Sequence, residues 1–391
     1  MPSLDEAESL RRTLEVEPGR FDAHERLREL TGPAPPDGAP PDPRAHPYDP
    51  RVRLAAGRAA LARGDLADAA DHLDWAVWLA DLDLVAARAA TVELAKIDPA
   101  WARRGQVGVH VFADETVRRH PGWRFRVRAL LKTMSQVLGP ALGMTFLPVE
   151  IGEFDAAGAD DTLESIQAAF HGRTPRHGIL LLLSERRAPR RPGRWSLGQA
   201  DFLGRRVIAR LAEGEIESRA LAHELLHLYG AIHVPERKDD LMNPSGGEWV
   251  IHPENAAILS ALRGRRFGPG GLEANVFPYI DLEETIGAYL AAIRANLELR
   301  QMGIEEALRE TSHSRHARAW RLRRERELDP HLGDVCAFAA RLLVRADQGP
   351  LAVALFDASA RLYGPESPRG RAMLARSDAL RAELAARYGL D

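Results

Sequence analysis

Residues 223–233 read His-Glu-Leu-Leu-His-Leu-Tyr-Gly-Ala-Ile-His, and Leu241-Met242-Asn243-Pro244 follows shortly after. The apolar positions Ala220, Leu221, Leu225, Leu226 and Leu228 have helical spacing, so the stretch is predicted to be a helix. On that helix His223 and His227 lie one turn apart, and both imidazoles leave the same face. Glu224, next to the first of them, can reach a water held by a metal ion without ligating the ion. Gly230 accepts the positive φ that stops a helix and turns the chain. His233 then returns as a third donor, which helical spacing alone does not supply. Three neutral imidazoles leave one tetrahedral position open, the arrangement of a catalytic zinc site rather than a closed structural one. The plainer alternative is a core helix with solvated histidines, but three such side chains around one apolar helix end are costly to bury.

Together His223, Glu224, His227, Gly230 and His233 match H-E-x-x-H-x-x-G-x-x-H, with Met242 placed as in a methionine turn. The segment resembles the metzincin metallopeptidases. That resemblance implies one catalytic Zn²⁺ held by His223, His227 and His233, with Glu224 as general base toward the activated water. It implies structural roles for Gly230 and Met242, the latter as an apolar floor to the ligand cluster. Val234 follows the third ligand, and Pro244 stands where astacins and serralysins carry a tyrosine. The Leu-Met-Asn-Pro wording is nearest the matrixins, so the chain reads as a matrixin-like outlier.

The chain has 391 residues, room for two or three domains. Its 53 Lys and Arg against 56 Asp and Glu give a net charge of −3, so no global field points to nucleic acid or a membrane surface. Cys336 is the single cysteine, which excludes intrachain disulfides and thiolate zinc clusters. The acidic N-terminus lacks a signal-peptide pattern and no apolar run has spanning length, so a cytoplasmic location is expected.

The expected fold is α+β. A metzincin-like catalytic domain over 105–265, with a twisted mixed β-sheet, zinc-binding helix and methionine turn, lies between helical regions over 1–104 and 266–391. Residues 51–80, with small residues at Gly57, Ala60, Ala69 and Ala76 and a Gly64-Asp65 turn, resemble a tetratricopeptide unit. The Pro-rich stretch 33–49 precedes it as a linker or loop. Ala340, Leu343, the Asp347–Gly349 turn, Ala352, Phe356 and Ser359 make a second match. Generic helical hairpins remain the alternative for both. In between, Val107–Phe112, Met144–Ile151, Ile179–Leu183 and Phe202–Ala209 read as strands, the last as an edge strand for an extended peptide. Arg124–Leu138 reads as a helix, Ser218 as the N-cap of the histidine helix, and Pro253 as the first turn of a helix through Leu262.

Other features carry less. Arg186, Arg187, Arg190, Arg191 and Arg194 form either a basic cleft rim or a solvated loop. Residues 313–326, with His313 and His316, read as an exposed basic helix, and Asp239-Asp240 as turn chemistry. The leading functional expectation is a zinc-dependent endopeptidase with a peptide or protein substrate and helical flanks that shape or gate the cleft or recruit a protein partner, without nucleic acid or membrane. Two alternatives stay open: a helical-repeat adaptor with a vestigial zinc site, and a zinc hydrolase of a non-peptide amide.

Overall fold

The computed structural model describes residues 4–32, 42–160, 162–172, 174–186, 197–211, 215–234, 237–244, 248–295 and 330–388. The chain divides into two compact units, one of residues 1–200, 205–224 and 267–269, the other of 201–204, 225–266 and 270–391.

Among the described residues the first unit is built on a five-stranded mixed sheet. Its strands are β1 (Gly105–Ala113), β2 (Met144–Glu153), β3 (Ile179–Ser184), β4 (Gly198–Ala200) and β5 (Arg206–Arg210), in the order β2-β1-β3-β5-β4. β1 pairs in parallel with β2 and β3, and β3 with β5, whereas β4 runs antiparallel to β5. Every residue of β3 is buried, as its unbroken apolar run requires of a strand covered on both faces. Leu180 and Leu182 meet Ile208, Phe154 and the helix Leu163–Ala169 on one side. Pro148, which cannot donate to a ladder, sits in the outermost strand β2 beside a register shift at Val109/His110. The helix Trp123–Leu142 is tied to β2 by Ser135, whose hydroxyl accepts from Phe146 N at 2.9 Å.

The N-terminal part of this unit is helical. Pro50–Arg63 and Leu66–Trp78 form a hairpin through Gly64, which takes φ 78°. A Cβ on Gly57 would stand 2.6 Å from Leu73 Cγ, so the small residue sets the approach of the two helices. Asp49, Asp65, Asp83 and Asp98 each cap a helix by accepting backbone N–H bonds. Nearby, His24 is buried among Tyr48, Trp75 and Phe125. Its Nε2–H donates to the Pro18 carbonyl at 2.8 Å, and burial holds its pKa below the ordinary value.

The second unit carries the helices Pro253–Leu262, Gly271–Asn275, Pro330–Arg345, Gly349–Tyr363 and Pro368–Tyr388, and a helix over 282–295. Its core joins Leu203, Ile232, Ile258, Leu262 and Tyr289 to Leu332, Val335, Phe338 and Leu342. Cys336 is buried in the same core, and burial pushes its thiol up to about 11. The turn after Arg345 is closed by Asp347 in the left-handed region, φ 56°.

Three expectations change. Residues 202–205 form a turn rather than strand, closed by Gly204 N donating to Asp201 O and by Leu203 at φ 53°. β5 is therefore shorter than read from the sequence and lies inside the sheet, while β4 ends it. The histidine helix runs over Glu215–Leu228, so Ser218 lies within it rather than capping it. Arg186 is not on a rim: its guanidinium pairs with Glu115 and donates to Ala159 O and Ala156 O, both at 2.8 Å. Arg187, Arg190, Arg191, Arg194, the stretch 313–326 and residues 33–41 of the Pro-rich stretch lie outside the described residues. Among the described residues no helix is long and apolar enough to cross a membrane.

Candidate metal centre

His223 and His227 leave one face of the helix Glu215–Leu228, and His233 follows the helix end. Ligand nitrogens of the three lie within 4.8 Å of one another, a group able to hold a metal ion. His227 Nε2 and His233 Nε2 are 3.0 Å apart. Two imidazole nitrogens sharing a tetrahedral zinc sit roughly 3.3 Å apart, so the observed spacing fits.

The helix ends in a Schellman motif. Gly230 stands at φ 83°, Ala231 N donates to Leu226 O at 3.1 Å, and Gly230 N donates to His227 O at 3.0 Å. Gly230 is required twice over. Besides the positive φ, a Cβ there would run into the Tyr289 hydroxyl and lie 2.5 Å from Leu262 Cδ1. This turn brings the Ala231 carbonyl to the His227 ring, where Nδ1 is 2.9 Å from it. A carbonyl only accepts, so Nδ1 carries the proton and Nε2 keeps its lone pair for a metal.

His233 is placed from one residue away. The buried Asn255 accepts from Ile232 N at 2.9 Å and donates back to Ile232 O at 3.0 Å. The helix end is closed by Leu203 N on His227 O at 3.1 Å and by the buried Arg265, which donates to Leu228 O and to Gly204 O. Burial lowers the Arg265 pKa to about 10. Tyr289, wholly buried, donates to Gly230 O at 2.8 Å.

Glu224 is buried at 8% exposure, and burial pushes its carboxyl up to about 8. It lies against β4: a Cβ on Gly198 would stand 2.9 Å from its Cδ and Oε1. Met242 is fully buried, and its carbonyl accepts from Val234 N at 3.1 Å. Asp240 organises the turn before it, accepting from Met242 N at 2.6 Å and His252 N at 3.2 Å. That is turn chemistry at Asp240, whereas the Asp239 carboxylate faces His252 Nε2 at 3.3 Å. His110 pairs instead with Glu150 at 2.7 Å, and His120 with Glu185 at 2.5 Å.

Sequence reasoning missed the residues that hold the cluster in place. Asn255, Arg265, Tyr289 and Gly198 stand 22 or more positions from the nearest of the three histidines. One more histidine was missed: His331 Nε2 is 3.2 Å from Ala231 O. Its ring packs on His227 and His233, with centroids 4.1 and 4.8 Å away. No sequence signal connects it to the motif.

No protein-family profile matches the chain. No curated protein matches it significantly. Among solved structures it is similar to archaemetzincin from Methanopyrus kandleri, at TM-score 0.31 and 16% identity over 40% of this chain and 94% of that one. At that TM-score the likeness carries no weight for the site, whose reading stands on its own geometry.

Proposed function

We propose that this protein is a zinc-dependent endopeptidase in which His223, His227 and His233 hold the metal and Glu224 handles the proton. The observation that carries the reading is the convergence of three imidazoles, with the buried Glu224 next to His223 in sequence. A zinc ion in such a three-nitrogen site supplies Lewis-acid activation of water and of the scissile carbonyl. Glu224 takes the proton of the attacking water and hands it to the leaving amine. β4 ends the sheet, and a peptide added to that edge as a further strand would be carried toward Glu224 through Gly198. The helical flanks, tetratricopeptide-like in sequence, offer the surface for a protein partner.

The test is zinc content measured alongside cleavage of an unbiased peptide mixture, with and without chelator. The expected result is stoichiometric zinc and cleavage that the chelator abolishes. Glu224→Ala should keep the metal and lose turnover by about 10²- to 10⁴-fold. Retained turnover in the metal-replete variant would overturn the role of Glu224. Stoichiometric zinc without any peptide cleavage would leave the site to a non-peptide amide or to binding alone.

A further inference from the structure

We propose that His331, from the helix Pro330–Arg345, is a positioning residue for the metal ligands. This rests on the zinc reading of His223, His227 and His233. The Ala231 carbonyl has two lone pairs, and the structure engages both: His227 Nδ1 at 2.9 Å and His331 Nε2 at 3.2 Å. Since the carbonyl only accepts, His331 carries its proton on Nε2. A carbonyl held from two sides is a firmer guide for the His227 ring than one held by its own ligand alone.

The ring of His331 does a second task. It packs tilted against His227, at 4.1 Å and 54°, and against His233, at 4.8 Å and 40°. Phe202 braces it edge-on from 4.7 Å at 90°. One imidazole therefore touches two ligands that are themselves edge-to-face at 4.7 Å, and limits the rotation of both. Its backbone is anchored too, because Leu332, Val335 and Phe338 of the same helix sit in the core with Ile232, Leu262 and Tyr289. With Nε2 committed to the carbonyl, His331 acts through the ligands and does not join them.

The experiment compares zinc dissociation constants, by competition with a chromophoric chelator, in the full-length wild type and in His331→Ala, His331→Phe and His331→Gln. Absorption of the Co²⁺-loaded proteins is recorded beside them. His331→Ala should weaken zinc binding about tenfold, the lower end for outer partners of metal ligands. His331→Phe keeps the ring and loses the donor, so it should fall in between. His331→Gln, which can still donate to Ala231 O, should restore most of the affinity. The Co²⁺ bands should shift slightly at unchanged intensity. Equal affinity in wild type and His331→Phe would overturn the shared-carbonyl role even if His331→Ala fails to fold. Co²⁺ bands reporting the loss of one nitrogen donor in the variants would overturn it by making His331 a ligand. A wild type that binds no zinc would sink the metal reading itself, an outcome plainly different from equal affinities.

Discussion

The N-terminal hairpins and the histidine turn are held together in opposite ways. In the hairpins each helix start is capped by a neighbour in sequence: Asp49 caps through Arg51 N and Val52 N, Asp83 through Val85 N and Ala86 N. In the turn the three histidines come from eleven consecutive residues, 223–233, but the backbone that carries them is held by Asn255, Arg265, Tyr289 and His331. Local support is replaceable piece by piece, because losing one cap leaves the others. Remote support is gathered on one short stretch, because Asn255, Arg265, Tyr289 and His331 bond backbone groups of Leu228, Gly230, Ala231 and Ile232.

Three substitutions sharpen that contrast. Gly230→Ala should be the most damaging. It combines a positive φ, worth about 1–2 kcal/mol, with overpacking against Tyr289 and Leu262, worth a further 1–3 kcal/mol or so. A drop in the urea midpoint together with lost zinc binding is expected, and a variant as stable as wild type would show that the turn is not held as described. Asn255→Leu should come next. It strips both partners from the Ile232 backbone, at about 2 kcal/mol, and should weaken zinc binding roughly 10- to 100-fold through His233. Chelator competition checks this, and unchanged affinity would remove Asn255 from the site. Asp83→Ala should be the mildest, costing about 1 kcal/mol for a lost N-cap. Its zinc affinity should equal that of wild type, and a change there would erase the distinction between the two regions.

The same distinction explains what could be read from the residues alone. The strand β3 and the helices Trp123–Leu142 and Pro253–Leu262 follow from apolar spacing within themselves, the last also from Pro253 in its first turn. The convergence of the three histidines is legible for that reason: one helical turn and one glycine bring them together. The turn at 202–205 was not, because Leu203 adopts φ 53° only with its N–H drawn to the His227 carbonyl, a contact between distant parts of the chain. Gly198 is a similar case. Nothing near it in sequence tells that its missing side chain makes room for Glu224. Asp240, by contrast, bonds to Met242 two residues away, and its role as a turn former was readable.

Cys336 gives the core around Tyr289 a built-in clock. The chain has one sulfhydryl, and it is enclosed with Val335, Phe338 and Leu342. Alkylating reagents can reach it only when those side chains part, so the labelling rate of the intact protein counts such openings directly. Whatever steadies the layer beneath the histidines, a bound ion included, should therefore slow a reaction at a sulfur atom that takes no part in the chemistry.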